Sequence, residues 1–234
     1  MSVLKRVWLI AAFGAAVASC MGPPQPQATS AAPDTVGGAK LNATAYHDSG
    51  AYMRDLGRAA QPVNDWLHER APKVSRPALV LDIDETALSN WSIIVANDYG
   101  RFAGGPCLLP QGPCGWHAWD LLGRDAALDP TLQVYRTARS LDVAVFFISG
   151  RPESEREATE RNLHAVGYAD YVRAYFTPDD AHYASLADFK RPTRGQIASQ
   201  GYTIIANVGD QESDLDGGFA ERAFLLPNPF YYVP

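Results

Sequence analysis

Apolar and polar positions along this chain follow two periods, and together they predict a helical segment followed by alternating strands and helices. Between Lys40 and Pro72, apolar residues recur at the helical spacing of three to four positions. They are Leu41, Ala45, Tyr52, Leu56, Ala59, Val63 and Trp66. Proline lacks the N–H that a helix interior needs, so we expect Pro62 to divide this segment into two helices.

Beyond Pro77, short continuous apolar runs rich in β-branched and aromatic residues predict strands. They are ALVLDI (78–83), VAVFFIS (143–149), VRAYF (172–176), YTIIANV (202–208) and AFLLP (223–227). Intervening segments such as PESEREATERNLHAVG carry helix start and stop signals. Runs that are apolar throughout are typical of strands buried on both faces. The order predicts a doubly wound α/β domain with a mostly parallel sheet.

The composition is that of a globular protein, with 47% hydrophobic and 20% charged residues. It suffices for one buried core with a small inserted subdomain. The formal net charge of -6 provides no basic field, so a nucleic acid polymer is not an expected partner. Phosphate on a small molecule stays compatible with this charge.

The N-terminus has the features of a secretory signal. MSVLKR carries two positive charges, VWLIAAFGAAV is too short to span a bilayer, and VASC ends the segment with small residues. The ending Val17-Ala18-Ser19-Cys20 resembles the lipobox of bacterial lipoproteins, which implies a signal peptide over residues 1–19 and lipidation of Cys20. Met21 after the cysteine resembles lipoproteins sent to the outer membrane. The alternative is a plain secretory peptide with an incidental Cys20.

Residues 20–39 are rich in Pro, Gln, Ala and Gly without apolar periodicity, which predicts a flexible tether before a folded domain over 40–234. Within that domain, the segment from 86 to about 130 is longer than a crossover helix needs and predicts a cap over the site. Its aromatic and imidazole side chains are candidates for stacking on a leaving group or for packing the cap. They are Trp91, Tyr99, Phe102, Trp116, His117 and Trp119. Outside the cytoplasm, a disulfide between Cys107 and Cys114 is favoured over two free thiols.

Polar residues follow three of the predicted strands at the same end of the sheet. The first strand leads to Asp82 and Asp84, the second to Ser149, Gly150 and Arg151, and the fourth to Gly209, Asp210 and Asp214. The carboxyl ends of parallel strands meet at one edge, so these groups are expected to share a crevice. A solvated strand end with helix-capping acids is the simpler alternative. An EF-hand beginning at Asp82 is excluded, because its sixth and twelfth positions are Ala87 and Ile93.

The motifs resemble those of the haloacid dehalogenase (HAD) superfamily of phosphohydrolases. They are LVLDIDET, FFISGR, the lysine of ADFKRPTR, and NVGDQESDL. The match is similar to the secreted acid phosphatase branch, which includes bacterial lipoprotein phosphatases and plant vegetative storage proteins. The resemblance implies a Rossmann-like core with a small inserted cap and an N-terminal helical segment. It also implies magnesium-dependent hydrolysis of phosphomonoesters through an aspartyl-phosphate intermediate, with broad specificity and with nucleotides among the candidate substrates.

By this resemblance, Asp82 attacks phosphorus and Asp84 protonates the departing oxygen before activating water. Mg²⁺ is held by the Asp82 carboxylate, the backbone carbonyl of Asp84 and Asp210, while Asp214 orients its waters or ligates through one. A divalent ion also explains why acids tolerate one another at this spacing.

The resemblance assigns Ser149, Gly150 and Lys190 to phosphate binding, with Arg191 and Arg194 as competitors for the lysine's role. Ser149 as a strand-end cap and Lys190 as a solvated lysine are the simpler alternatives. Arg151 is predicted to be an ion-pair residue rather than a catalytic one.

The sequence departs from the family pattern at Glu212, where the relatives would have an aromatic residue, which places an acid near the predicted metal site. A lipid-anchored binding or storage protein with the same fold stays as the alternative function. The oligomeric state is left open, and a homo-oligomer is compatible with the sequence.

Overall fold

The computed structural model describes residues 35–233, which form one compact unit. The predicted signal peptide, the lipidation site Cys20 and most of the predicted tether lie outside these residues. Within residues 35–233, no helix combines the length and the apolar character needed to cross a bilayer.

Helices and strands alternate along the described chain. The helices are α1 (Val36–Asp48), α2 (Ala51–Arg70), α3 (Trp91–Ala96), α4 (Trp116–Leu122), α5 (Asp129–Ser140), α6 (Arg156–Ala165), α7 (Ala187–Ser199) and α8 (Glu212–Leu215). The strands are β1 (Pro77–Leu81), β2 (Leu88–Ser89), β3 (Ala126–Ala127), β4 (Ala144–Pro152), β5 (Arg173–Thr177), β6 (Thr203–Gly209) and β7 (Ala223–Leu225).

The main sheet has five strands in the order β5-β4-β1-β6-β7, and every neighbouring pair is parallel. Each of the five predicted apolar runs contributes one of these strands, which confirms the predicted α/β class. Strand β1 lies between β4 and β6, so the carboxyl ends of the three strands with predicted polar residues are adjacent.

Strand β1 shows why the runs are apolar at every position. Leu79 and Leu81 are fully buried in the core on one face, with residues of α2, α5 and α6. Ala78 and Val80 are buried on the other face, where α7 contributes Ile197. Since successive side chains of a strand point to opposite faces, a strand covered on both sides needs apolar residues throughout.

The N-terminal segment forms two helices, but the predicted division at Pro62 is wrong. The break lies at Ser49 and Gly50, and the backbone φ of Gly50 is 72°, in the left-handed region that favours glycine. Pro62 lies inside α2, between the buried residues Leu56 and Val63. Packing of these residues into the core outweighs the one hydrogen bond that the proline removes.

Helix α1 begins at Val36, so the predicted tether ends before that residue rather than at 39. The hydroxyl oxygen of Thr35 accepts a hydrogen bond from the N–H of Gly38 at 3.1 Å and caps the helix. Gly37 and Gly38 are poor helix formers, which is why composition predicted no helix here.

The segment between β1 and β4 leaves the sheet before the chain returns through α5. Strands β2 and β3 form a two-stranded antiparallel ribbon, which is too short to give a sequence signal. Cys107 and Cys114 form the predicted disulfide. The side chain of Asn97 accepts from the N–H of Cys114 at 2.7 Å and donates to its carbonyl oxygen at 2.8 Å, which anchors the disulfide loop.

Candidate active site

A cavity of 280 Å³ lies at the carboxyl edge of the sheet. Its wall includes the predicted residues Asp82, Asp84, Gly150, Lys190, Asp210 and Asp214. These residues follow β1 and β6, lie near the end of β4 or project from α7, so the strand order brings together groups that are distant in the chain.

Asp82, Asp210 and Asp214 form a buried acidic group in which one oxygen of each carboxylate lies within 4.8 Å of the others. Carboxylate oxygens at this separation are suitable ligands for Mg²⁺. The side chain of Asp84 lies outside this group, and the sequence prediction gave that residue a ligand role through its backbone carbonyl alone. The donor set therefore fits a divalent cation.

Lys190 is buried in the same acidic group. Its ammonium nitrogen lies 2.5 Å from an oxygen of Asp82 and 2.5 Å from an oxygen of Asp214. Burial disfavours the charge, but the two carboxylates outweigh it and raise the pKa of Lys190. A solvated lysine, the simpler alternative, is thus excluded.

The acids retain unfavourable interactions despite this lysine. Burial, followed by repulsion from Asp214, raises the pKa of Asp82 well above its ordinary value. Burial and the same repulsion raise the pKa of Asp210 to about 6. Asp210 also accepts hydrogen bonds from Thr86 at 3.0 Å, Gln211 at 2.6 Å and Asn228 at 2.8 Å. The single positive charge of Lys190 does not balance three buried carboxylates, and this imbalance favours a bound cation.

Asp84 is held as a carboxylate by its neighbours. Arg151 donates to one of its oxygens at 2.7 Å, and the side-chain amide of Asn90 donates to the same oxygen at 2.9 Å. Burial alone would raise the pKa of Asp84, but the Arg151 guanidinium outweighs it and lowers this pKa. The side chain of Asp84 stays 21% exposed and reaches the cavity.

Arg151 is the ion-pair residue that the sequence predicted. Besides Asp84, its guanidinium lies 3.2 Å from Asp120 and 3.7 Å from Asp125, and both acids come from the cap segment. Arg151 therefore links the end of β4 to the cap as well as to the first strand. Nothing in the sequence pattern pointed to Asp120 or Asp125.

Ser149 and Gly150 occupy the end of β4 in different ways. Ser149 is fully buried, and its hydroxyl oxygen accepts a hydrogen bond from the N–H of Arg151 at 3.0 Å, as in the strand-end cap alternative. The cavity wall contains Gly150 but not Ser149. A Cβ on Gly150 would lie 2.6 Å from a methyl carbon of Leu186, so a larger residue here would displace the Leu186 side chain at the start of α7.

Glu85, which is buried, pairs with the half-buried Tyr231, a contact that sequence reasoning missed. The Tyr231 hydroxyl donates to Glu85, whose other carboxylate oxygen accepts from the N–H of Asn90 at 2.6 Å. Burial raises the pKa of Glu85 to about 8. Tyr231 also lines the cavity, so the C-terminal segment contributes one of its walls. The sequence carries no signal for a contact between residues so far apart.

The residues of the cap divide between the two predicted roles. Trp116 and His117 line the cavity, and the ring of Trp116 lies edge-on to Tyr231 with centroids 5.5 Å apart. Trp91 instead stacks on His47 with ring centroids 3.7 Å apart. Trp119 is buried and donates to Asn90 and Asp125. Packing accounts for both residues, Trp91 against α1 and Trp119 inside the cap, while Trp116 and His117 face the site.

Neither Arg194 nor Glu212 lies where the sequence predicted it, which was at the phosphate for Arg194 and near the metal site for Glu212. Arg194 is fully buried and donates to the backbone carbonyl oxygens of Asp214 at 2.6 Å and Gly218 at 3.0 Å. It holds the loop after β6 and does not compete with Lys190. Glu212 is exposed and is not part of the cavity wall, so it adds no ligand to the acidic group.

The parallel sheet and the acids at its carboxyl edge define an α/β protein of the HAD type. The family model for HAD superfamily, subfamily IIIB (acid phosphatase) matches residues 25–234. The chain belongs to this family, which confirms the resemblance seen in its motifs.

Curated relatives agree with this membership. The chain is 32% identical over 159 residues to Acid phosphatase 1 of Solanum lycopersicum, covering 68% of this chain and 60% of that protein. It is 33% identical over 161 residues to the stem 28 kDa glycoprotein of Glycine max, covering 68% of this chain and 61% of the relative. Vegetative storage protein 1 of Arabidopsis thaliana is 28% identical over 184 residues, with coverage of 78% and 60%. The chain thus spans about 60% of the length of these relatives.

Among solved structures, the class C acid phosphatase from Bacillus anthracis has the same fold. Its TM-score is 0.65 at 21% sequence identity, and the match covers 84% of this chain and 86% of that one.

Proposed function

We propose that this protein hydrolyses small phosphomonoesters through an aspartyl-phosphate on Asp82, with the assistance of a divalent cation. The observation that carries the proposal is the joint placement of Asp82, Asp84 and Lys190 in one cavity. Membership of the acid phosphatase family supports it. The cavity of 280 Å³ is at the lower limit of ligand pockets, which favours a small ester over a polymer.

In the first half-reaction, a carboxylate oxygen of Asp82 bonds to phosphorus as the bond to the leaving oxygen breaks. Asp84, which must first take up a proton against the Arg151 contact that lowers its pKa, donates that proton to this oxygen, and the alcohol leaves. In the second half-reaction, Asp84 accepts a proton from a water molecule that attacks phosphorus. The bond to Asp82 then breaks, which releases phosphate and restores both carboxyl groups. Lys190 stabilises the negative charge that develops on the phosphoryl group.

Asp82, Asp210 and Asp214 are the side chains that would hold the cation. When bound, Mg²⁺ supplies positive charge that offsets these acids and draws electron density from the phosphoryl oxygens. The supporting observation is the surplus of buried carboxylates over cations described above. Thr86, Gln211 and Asn228 fix the orientation of Asp210 through hydrogen bonds.

The leaving group would contact Trp116 and Tyr231, whose rings form part of the cavity wall. Aromatic walls of this kind favour planar leaving groups such as phenols or nucleosides. The disulfide at Cys107 and Cys114 lies directly before Trp116 in the chain and restrains this part of the cap.

A binding or storage protein is the second candidate, because the similar proteins include a plant vegetative storage protein. Such a protein has no need for a proton-transferring acid beside the nucleophile. The placement of Asp84 in the cavity therefore favours the enzyme.

We also propose a cellular location for the protein. The lipobox-like ending at Cys20 supports a lipid-anchored protein of the bacterial envelope, in the outer membrane.

Phosphate release from phenyl phosphate tests the proposal. The mature protein should release phosphate with Mg²⁺ present, lose the activity in EDTA and regain it when Mg²⁺ is restored. Asp82→Asn and Asp84→Asn should each lower kcat about 10³-fold or more. Glu212→Gln, which removes an exposed acid outside the cavity, should retain activity. An active Asp82→Asn variant would refute the nucleophile, and binding without release would support the storage protein.

A further inference from the structure

The basic side chains of the cavity wall differ in whether an acid compensates them. Lys190 is paired with Asp82 and Asp214, and Arg151 is paired with Asp84 and Asp120. Within residues 35–233, Arg101 lines the same cavity without a carboxylate in ion-pair distance.

Arg101 is held beside an aromatic ring instead. Its guanidinium carbon lies 5.5 Å from the centroid of Trp116, within the range of a cation–π contact. The neighbouring backbone is fixed, because the N–H of Trp116 donates to the carbonyl of Phe102 at 2.7 Å and the N–H of His117 donates to that of Ala103 at 3.3 Å. Arg101 therefore belongs to the built wall of the cavity although its side chain is exposed.

His117 does not offer a comparable charge. Its Nδ1 lies 2.5 Å from a carboxylate oxygen of Glu155, which is buried. This contact places a buried carboxylate against the imidazole ring, so His117 adds no uncompensated positive charge to the wall. Lys190, Arg151 and His117 are thus each paired with a carboxylate. Among the described residues of the cavity wall, Arg101 is the cationic side chain whose N–H donors stay available to a ligand.

We propose that Arg101, stacked on Trp116, is a specificity-determining residue that selects phosphomonoesters whose leaving group is planar and carries a second anionic group. The inference rests on the proposed function, since it concerns the leaving-group side of the same cavity. Trp116 contacts the face of the leaving group, and the guanidinium of Arg101 donates two hydrogen bonds to its carboxylate or phosphate. The carboxylates of the acidic group and Asp84 repel a second anionic group on the substrate. A substrate of this class therefore needs a positively charged side chain elsewhere in the cavity wall.

Paired substrates test the selection. The kcat/KM for 4-carboxyphenyl phosphate relative to phenyl phosphate should fall about 3- to 10-fold in Arg101→Gln, because an exposed charge-assisted contact is removed. Arg101→Lys should restore part of the ratio, since lysine keeps the charge but not the two-donor geometry. The matched control is Arg124→Gln, which removes an exposed arginine of the cap outside the cavity wall and should leave the ratio unchanged.

A binding measurement separates this inference from the proposed function. In benzylphosphonate and its 4-carboxy derivative, a carbon replaces the scissile oxygen, so calorimetry on both ligands requires no turnover. The wild-type protein should bind the carboxy derivative more tightly, and Arg101→Gln should lose that preference. High salt should weaken the preference, because the contact is exposed. If the protein releases phosphate from esters, but wild type and Arg101→Gln show the same preference for the 4-carboxy ligand, the inference fails and the proposed function stands. If the phosphonates bind with the expected preference and no ester is hydrolysed, the proposed function fails instead.

Discussion

The ammonium nitrogen of Lys190 lies 2.5 Å from a carboxylate oxygen of Asp82, although 108 positions separate them in the chain. Helix α7 delivers the lysine and the end of β1 delivers the aspartate, so the contact joins two layers of the fold at the cavity. Both side chains are almost fully buried. Removal of the lysine therefore leaves a charge that water does not reach.

Lys190→Met should lower the free energy of unfolding by about 3 kcal/mol or more in EDTA, because Asp82 and Asp214 lose their common cation. Mg²⁺ should recover much of the loss, so the shift in Tm caused by Mg²⁺ should be larger in the variant than in the wild type. Urea and thermal unfolding with EDTA or Mg²⁺ measure both effects. The control is Lys73→Met, an exposed lysine 3.5 Å from Glu69, for which we expect a change of about 0.5 kcal/mol or less. A Lys190→Met variant as stable as the wild type in EDTA would contradict the ion pair.

Asp125 predicts a pH-dependent stability. Burial, opposed by Arg151, raises the pKa of Asp125 to about 6 in the folded protein, whereas an unfolded aspartate titrates near 3.9. The folded state therefore binds this proton more tightly, and the resulting stability is lost as the pH rises from about 4 to about 6. Urea unfolding across this window should show a shallower loss for Asp125→Asn, which does not titrate.

The matched control for this measurement is Asp65→Asn, which alters an exposed acid on α2 and should keep the wild-type pH profile. If the free energy of unfolding has the same pH dependence in Asp125→Asn and in the wild type, Asp125 binds no additional proton on folding and the prediction is contradicted. Asparagine retains an oxygen that accepts the Trp119 hydrogen bond, so the comparison changes the charge with little change in shape.

The disulfide predicts a link between the cap and substrate binding. Replacing both Cys107 and Cys114 by serine should lower the free energy of unfolding by about 2 kcal/mol, since a short loop is released. KM should rise more than kcat falls, because Trp116 and His117 follow the loop and line the cavity while Asp82 lies on the sheet. Kinetics with and without dithiothreitol measure this effect. A reductant effect that persists in the double variant would point to another cause.

The predicted lipid anchor is tested by Cys20→Ser. In an envelope fractionation, the variant should move from the membrane to the soluble fraction and should not incorporate labelled palmitate. Ser19→Ala keeps a small residue in the lipobox-like ending and should stay anchored. Detergent-dependent association of Cys20→Ser would contradict the lipoprotein assignment.

The sequence by itself determined the sheet and the acids at its edge. Each strand of the main sheet was visible because burial on both faces requires a continuous apolar run, as in Leu79 and Val80. The positions of Asp82 and Asp210 followed from the rule that parallel strands end at one edge. Both signals are local in the chain and need no knowledge of its path.

The tertiary structure alone decided which distant groups meet. Three contacts depend on the path of the cap and of the C-terminal segment. Glu85 pairs with Tyr231, Arg151 forms an ion pair with Asp120, and Trp116 rather than Trp91 lines the cavity. The continuity of α2 through Pro62 depends likewise on its packing against the core. A local pattern records whether a side chain is buried, but a buried charge or ring takes its partner from whichever segment folds against it.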